Sequence, residues 1–518
     1  MKKSILALVI LCLLISWGNT SESESGVQND KTKIYTLFMT RGYGGAGKAP
    51  QSFLTNNELL LKLQSECKGI DFISRDLTSS DISFEEVYNE LQEKKDIDGV
   101  LIVGTTRHYK LAFTGLPTIV VYNLFEWMNI PYKLYTSGVE EESILTGGPA
   151  HKNGRILNAQ LDRRNVCSPS KSESMFNDLL YKIKLIQAVK KLRQSRILVV
   201  APQQYLAEVD YQGDADKHLP KDYNETYIRG LKESLGVTLV IVEPEEFYQA
   251  YKDTDTKEAE KEAEKWIKDA QEVTAARSEI IRTARAYLAF EALREKYGCN
   301  AVSTHMRSLT GSGEIKDMFW PGLGLECGFK TRGIQAVCQN YVNILVAQLM
   351  GYFLTGRPSM LGDLMIDTEN SVDILTHCGA PINPYGDERR VPYSIKTHAE
   401  SPVKNTQKPG SSTGLQVEWP VGEPVTFWKV YVLHKKIGLH TGKIVDGHTL
   451  YKNLDGIMCR TKLIAEVNAE KVRKHFSPDE YGIHRNATLG DLRKKIKDMA
   501  VLIGFDVMEE DRPDKQEI

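Results

Sequence analysis

The chain has no surplus of either charge, no paired-cysteine spacing, and no apolar run long enough to cross a bilayer. Its 518 residues carry 66 basic and 68 acidic side chains, a net charge of −2, so the balance calls for no polyanionic partner such as nucleic acid. Of eight cysteines, Cys12 falls in an N-terminal apolar run, and the other seven, from Cys67 to Cys459, show no CxxC spacing. An odd seven cannot all pair within one chain, and the missing CxxC argues against structural zinc. Most cysteines so scattered are expected to be small buried apolar residues.

With 41% hydrophobic and 26% charged residues the chain can bury large cores, and its length suggests three domains. Residues 1–20 read as a secretory signal. Lys2 and Lys3 precede an apolar run from Ile5 to Ile15, with Ser16 and Gly18 placed for cleavage ahead of Asn19. That run is far shorter than the roughly 20 residues of a membrane span. No cysteine stands at the cleavage point to take a lipid. The mature protein is expected to be exported, periplasmic or secreted, without a membrane anchor.

Short β-rich runs at Lys33 to Met39, Ile70 to Ser74, Gly99 to Gly104 and Pro117 to Tyr122 enclose amphipathic helices at Leu59 to Cys67 and Phe84 to Gln92. Such alternation implies a parallel sheet covered on both faces. A second cycle comprises helix Met175 to Leu192, strand Arg196 to Ala201, helix Tyr227 to Leu235, strand Val237 to Val242, one long helix from Thr256 to Tyr297, and strand Ala301 to Thr304. Ala399 to Leu415 is rich in Pro, Ser, Lys, Thr and Gly, and strand-like runs at Val425 to Leu433, Ile437 to Val445 and Cys459 to Val467 follow it. The expected fold is α/β. It has two doubly wound parallel-sheet domains, 31–168 and 169–398, and a mostly β C-terminal domain, 399–518.

Gly42, Gly44 and Gly47 with Lys48 approximate phosphate-binding glycine motifs. The match breaks at Ala49, which lacks the metal-binding hydroxyl, and at Pro50, which lacks a backbone donor. Asp76 also lies too far on to be the ribose acceptor expected about 20 residues downstream. A loop at a sheet's carboxyl edge is the simpler reading.

The informative constellation comes later. Cys338-Gln339-Asn340-Tyr341-Val342 opens a helix, Leu361-Gly362-Asp363-Leu364 follows its stop, and Leu375-Thr376-His377-Cys378-Gly379-Ala380-Pro381 comes next. Downstream stand Cys459-Arg460-Thr461-Lys462 and Gly482-Ile483-His484-Arg485. This order resembles the L-fucose/L-arabinose isomerase superfamily, in particular its fucose-isomerase-like members. The resemblance implies aldose–ketose interconversion of a small-molecule sugar through an enediol. It also implies a divalent ion, usually manganese (Mn2+), held by acidic residues and a histidine, and a homo-oligomer with active sites between subunits. A hard cation would polarise the sugar oxygens while a carboxylate moves the proton.

Within that resemblance, His484 matches the metal histidine, and His377 lies in a loop after a strand that faces the crevice. The family's two helix-start carboxylates fall on Gln339 and Tyr341, which supply no anionic oxygen. Thr304-His305-Met306-Arg307-Ser308 likewise lacks the family's upstream acid; His305 and Arg307 are candidates to bind an anionic or polyhydroxylated ligand, or simply end a surface strand. Glu326 and Asp363 are the acids available for proton transfer, and Asp363 could equally brace its loop. Three functions are open at this point: a sugar isomerase-superfamily protein binding a monosaccharide or sugar acid, an inactive exported carbohydrate-binding relative, and a two-lobed periplasmic solute-binding protein. The extra β domain argues against the last.

Overall fold

The run of β-branched and aromatic residues after Lys31 is strand β1 (Thr32–Phe38), buried along nearly its whole length as a central parallel strand must be. The computed structural model describes residues 31–39, 54–77, 84–94, 96–104, 109–123, 155–163, 167–202, 221–305, 309, 322–399, 412–454, 459–476 and 482–512. Helix α1 (Asn56–Glu66) opens on a capping box in which Thr55 and Glu58 satisfy each other's backbone N–H groups. β2 (Ile70–Asp76), α2 (Phe84–Glu93), β3 (Gly99–Val103), β4 (Thr118–Asn123) and β5 (Ile156–Leu161) follow. All five strands are parallel in the order β2-β1-β3-β4-β5, so the winding reverses between β1 and β3. The leader at 1–20 and the glycine-rich loop at 42–48 lie outside the described residues.

Helix α3 (Pro169–Arg193) leads into the second α/β unit. Its elements are β6 (Arg196–Val200), α4 (Tyr223–Leu235), β7 (Thr238–Val242), α5 (Pro244–Asp253), α6 (Thr256–Asp269), β8 (Glu272–Val273), α7 (Arg277–Lys296), β9 (Ala301–Thr304) and β10 (Gln335–Val337). Its four parallel strands run β10-β9-β6-β7, with the winding reversing between β6 and β9. The single helix expected from Thr256 to Tyr297 is two helices. Ala270 leaves the helix in an extended conformation, and Glu272 and Val273 pair instead with Ser394 and Ile395. The two helices, α6 and α7, fold onto each other. Trp266 meets Tyr287 edge-on at 5.8 Å, whereas Val273, at the break, is exposed.

The remainder comprises α8 (Val342–Thr355), β11 (Met360–Asp367), β12 (Val372–His377), β13 (Tyr393–Thr397), β14 (Thr413–Val417), β15 (Pro424–Tyr431), β16 (Lys436–Ile444), β17 (Thr461–Glu466), α9 (Ala469–His475), β18 (His484–Leu489), α10 (Arg493–Ile503) and β19 (Asp506–Glu509). Strands β8, β13 and β14 make a small mixed sheet. The larger sheet runs β15-β18-β11-β12-β17-β16-β19, and β15 pairs back onto β16 along eight residues. Six antiparallel strands therefore close into a barrel, which removes its edges, and β19 runs parallel to β16 beside it.

The barrel recruits β11 and β12 from before residue 398, so the β unit begins ahead of the polar stretch that follows Thr397. α8 joins it to the second sheet. Residues Val342 through Gly351 are all buried, and one hydrophobic core runs from Ile34 through α3 and α8 to Trp428 and Ile503. The architecture is α/β with two parallel sheets and a mixed, mostly β sheet toward the C-terminus. Among the described residues, no helix is long and apolar enough to cross a membrane.

Candidate active site

In open parallel sheets the crevice lies beyond the carboxyl ends of the strands, where the winding reverses. His305 stands there, directly after β9, its backbone N–H donating to the Val200 carbonyl at 3.1 Å. Beside it β10 ends at Val337 and the chain passes through Cys338, Gln339, Asn340 and Tyr341 into α8. Ser303 Oγ donates to Asn340 Oδ1 at 2.8 Å, fixing that segment to β9. Tyr341 is the N-cap residue of α8 but makes no side-chain cap hydrogen bond, so its ring is not committed to the helix start.

The barrel supplies the facing wall. Register sets Asp363 on β11 directly opposite His484 on β18, and Asp363 Oδ1 lies 2.9 Å from His484 Nε2. The Tyr341 ring lies over the His484 imidazole with centroids 3.8 Å apart. The site thus sits where the second sheet's carboxyl edge meets the barrel. Burial raises the Asp363 carboxyl, but the hydrogen bond and charge of His484, with His377, overcome it and leave it below its ordinary value. Burial lowers His484, and Asp363 only partly restores it. The pair therefore stands as an ionised carboxylate accepting from a neutral imidazole.

Glu326 lies in a π-helical turn (Gly324–Phe329), a form often found at functional sites. Its Oε1 accepts from Lys330 Nζ at 2.9 Å, and Lys330 also donates to the Ser359 carbonyl at 2.8 Å. Its Oε2 is buried with no hydrogen-bond partner among the described residues, and burial raises the carboxyl despite Lys330. His377 is the electrostatic link, for its charge acts on Glu326, Asp363 and His484 alike. Burial works against its imidazolium, but Cys378, Asp363 and Glu326 pull it up to about 9.

Of the residues singled out in the sequence, Glu326, Asp363, Tyr341, His377 and His484 share this junction. Gln339 is two residues from Tyr341, with its Oε1 buried and unpartnered among the described residues. His305 occupies the sheet edge, and Arg307 lies outside the described residues. Sequence reasoning missed Lys330 and the thiols of Cys338 and Cys378, which flank His377. The adjacency of His377 and Cys378 was the one local signal for that cluster. No protein-family model matches the chain, and none of the curated proteins compared with it matches either.

Proposed function

We propose that the protein binds a monosaccharide or sugar acid at the junction of the second sheet and the barrel and, with a hard divalent ion such as manganese, interconverts aldose and ketose. The carrying observation is the Asp363–His484 pair beneath Tyr341, held by strand register where the second sheet's carboxyl edge meets the barrel. Its donors suit a hard cation in kind. Neighbouring ligand atoms on an octahedral ion at about 2.1 Å stand about 3 Å apart, and Asp363 Oδ1 and His484 Nε2 are 2.9 Å apart, so an ion would take the place of the proton between them, with the imidazole proton moved to Nδ1. Gln339, two residues before Tyr341, offers a buried carbonyl oxygen. When bound, the ion would polarise the sugar's carbonyl and neighbouring hydroxyl oxygens.

The chain's own groups supply the rest. Glu326, its carboxyl held up by burial, is suited to carry a proton between sugar carbons. Tyr341 covers His484 from water, and His305 offers a polar side chain for sugar hydroxyls. The same reading includes export behind a cleaved leader and assembly as a homo-oligomer. A second reading, an inactive carbohydrate-binding relative, is favoured by Gln339 and Tyr341, which stand at the helix start where carboxylates would be needed to join Asp363 in the proposed ion site.

Calorimetric titration with Mn2+, then a ketose assay over a panel of aldoses, tests both. Stoichiometric binding should be lost in Asp363→Asn and His484→Ala, while Glu326→Gln should bind the ion and lose at least roughly a hundredfold in turnover. Sugar binding without ketose formation would select the second reading. Absence of both metal and sugar binding would sink the two together.

A further inference from the structure

Next to this hard-donor pair lies a cluster of softer chemistry that the isomerase reading does not use. Cys338 follows the end of β10, while His377 ends β12 and Cys378 follows it, so strand ends from two different sheets meet in the interior. The two Sγ atoms are 3.9 Å apart, and Cys338 Sγ is 3.9 Å from His377 Nε2. One ligand atom from each residue falls within 4.8 Å of the others, and all three residues are buried. A tetrahedral ion with sulfur at about 2.3 Å and nitrogen at about 2.0 Å sets sulfurs roughly 3.8 Å apart and sulfur to nitrogen roughly 3.5 Å. The sulfur–sulfur spacing matches that geometry, whereas the sulfurs meet different ring nitrogens, Cys338 Sγ at Nε2 and Cys378 Sγ at Nδ1, 3.4 Å away, so the imidazole must turn for one nitrogen to face both sulfurs.

We propose that Cys338, His377 and Cys378 form a binding site for a thiophilic d10 cation of the zinc class, through two thiolates and one imidazole nitrogen. Charge favours it. Two thiolates neutralise a divalent ion, so the loaded site carries no net charge into the interior, and the protons leave to solvent on binding. The alternative, a histidine placed in the core for packing, should be met by strong partners. His440 shows what that looks like, with a carboxylate 2.7 Å from each ring nitrogen. His377 has sulfur contacts instead, at 3.4 Å to Cys378 and 3.9 Å to Cys338, and thiols are weak hydrogen-bonding groups.

Space around the sulfur is kept clear: a Cβ at Gly322 would lie 3.2 Å from Cys378 Sγ. Three protein ligands leave a fourth position open to a neutral ligand such as water, and Glu326, with its unpartnered buried oxygen and its charge acting on His377, could orient that ligand. Local spacing could not reveal such a site, because its ligands belong to segments separated by a helix and two strands.

Because the ligands are buried, the ion must be offered during folding. The full chain is expressed in minimal medium with Zn2+ or Co2+, purified under reducing conditions, and assayed for metal content and absorption. One equivalent is expected, with sulfur-to-cobalt charge-transfer bands and intense tetrahedral ligand-field bands. Cys338→Ser and Cys378→Ser should each reduce retained metal at least tenfold and abolish the charge-transfer bands, while Cys327→Ser and Asp363→Asn leave both intact. Should a serine variant not fold, X-ray absorption on the wild-type cobalt protein counts two sulfurs in the ion's shell if the proposal holds. No retained metal, a shell without sulfur, or bands that survive both serine variants would overturn it. Manganese binding at Asp363 and His484 is read separately, so its failure leaves this result standing.

Discussion

Glu326 and Lys330 sit one helical turn apart, and almost nothing of either side chain reaches water. Leaving one member of a buried ion pair alone costs about 3–5 kcal/mol, whereas replacing both with neutral groups costs far less. Lys330→Met should therefore lower stability by about that amount, and Lys330→Met with Glu326→Gln should recover more than half. Denaturant midpoints of wild type, single and double variants measure this; equal losses in the single and double would deny the coupling. Glu326 was legible in the sequence as an acid near missing ones, but Lys330 was not, since four-residue spacing outside an apolar pattern says nothing of burial. His484 and Asp363 were legible as motif residues. Their pairing was not, because it depends on the register of strands more than a hundred residues apart in the chain. Most of the described cysteines are buried as expected, with Cys167 and Cys459 only partly so, while the meeting of Cys338 with Cys378 required knowing which strand ends face each other.

At the scale of elements, the α/β alternation was readable because parallel strands and their covering helices impose different apolar periods. It missed the break between α6 and α7, where Ala270 leaves the helix in an extended conformation. The π-helical turn carries no such signal, and its place is set by packing. A Cβ at Gly328 would lie 2.5 Å from Tyr287 Cε2. That ring has nowhere to go. Trp266 and Phe329 meet it edge-on at 5.8 Å and 4.8 Å, and its hydroxyl accepts from Arg332 at 2.8 Å. Gly328→Ala should cost about 1–3 kcal/mol by overpacking. Adding Tyr287→Leu, which removes the clashing ring, should make the combined loss smaller than the sum of the two single losses. Strictly additive midpoint shifts would show that the turn has room to move.

For the whole molecule, the barrel is what joins the site's second wall to the core, and its interior is held by charge as well as by apolar packing. His440 lies 2.7 Å from Glu510 through Nδ1 and 2.7 Å from Asp373 through Nε2, stacked on Phe427 at 5.0 Å. Arg485 reaches Glu510 at 3.3 Å, and the charge of Asp511 is also felt. With both cations charged, His440 and Arg485 balance Asp373 and Glu510. Burial lowers His440, but its two carboxylates overcome that and raise it to about 9. Its unfolded value is about 6.5, so the imidazolium's contribution is complete below about pH 6.5 and is lost as pH rises through about 9. The separation corresponds to a contribution on the order of 3 kcal/mol. Denaturant midpoints taken from about pH 6 to about pH 10 should therefore fall along the alkaline limb. His440→Gln, which keeps a hydrogen-bonding group but cannot carry the charge, should begin less stable at the acid end and lose less on the way up. Parallel profiles for the two proteins would mean that the barrel is closed by its strand pairing and packing alone, with His440 neutral inside it.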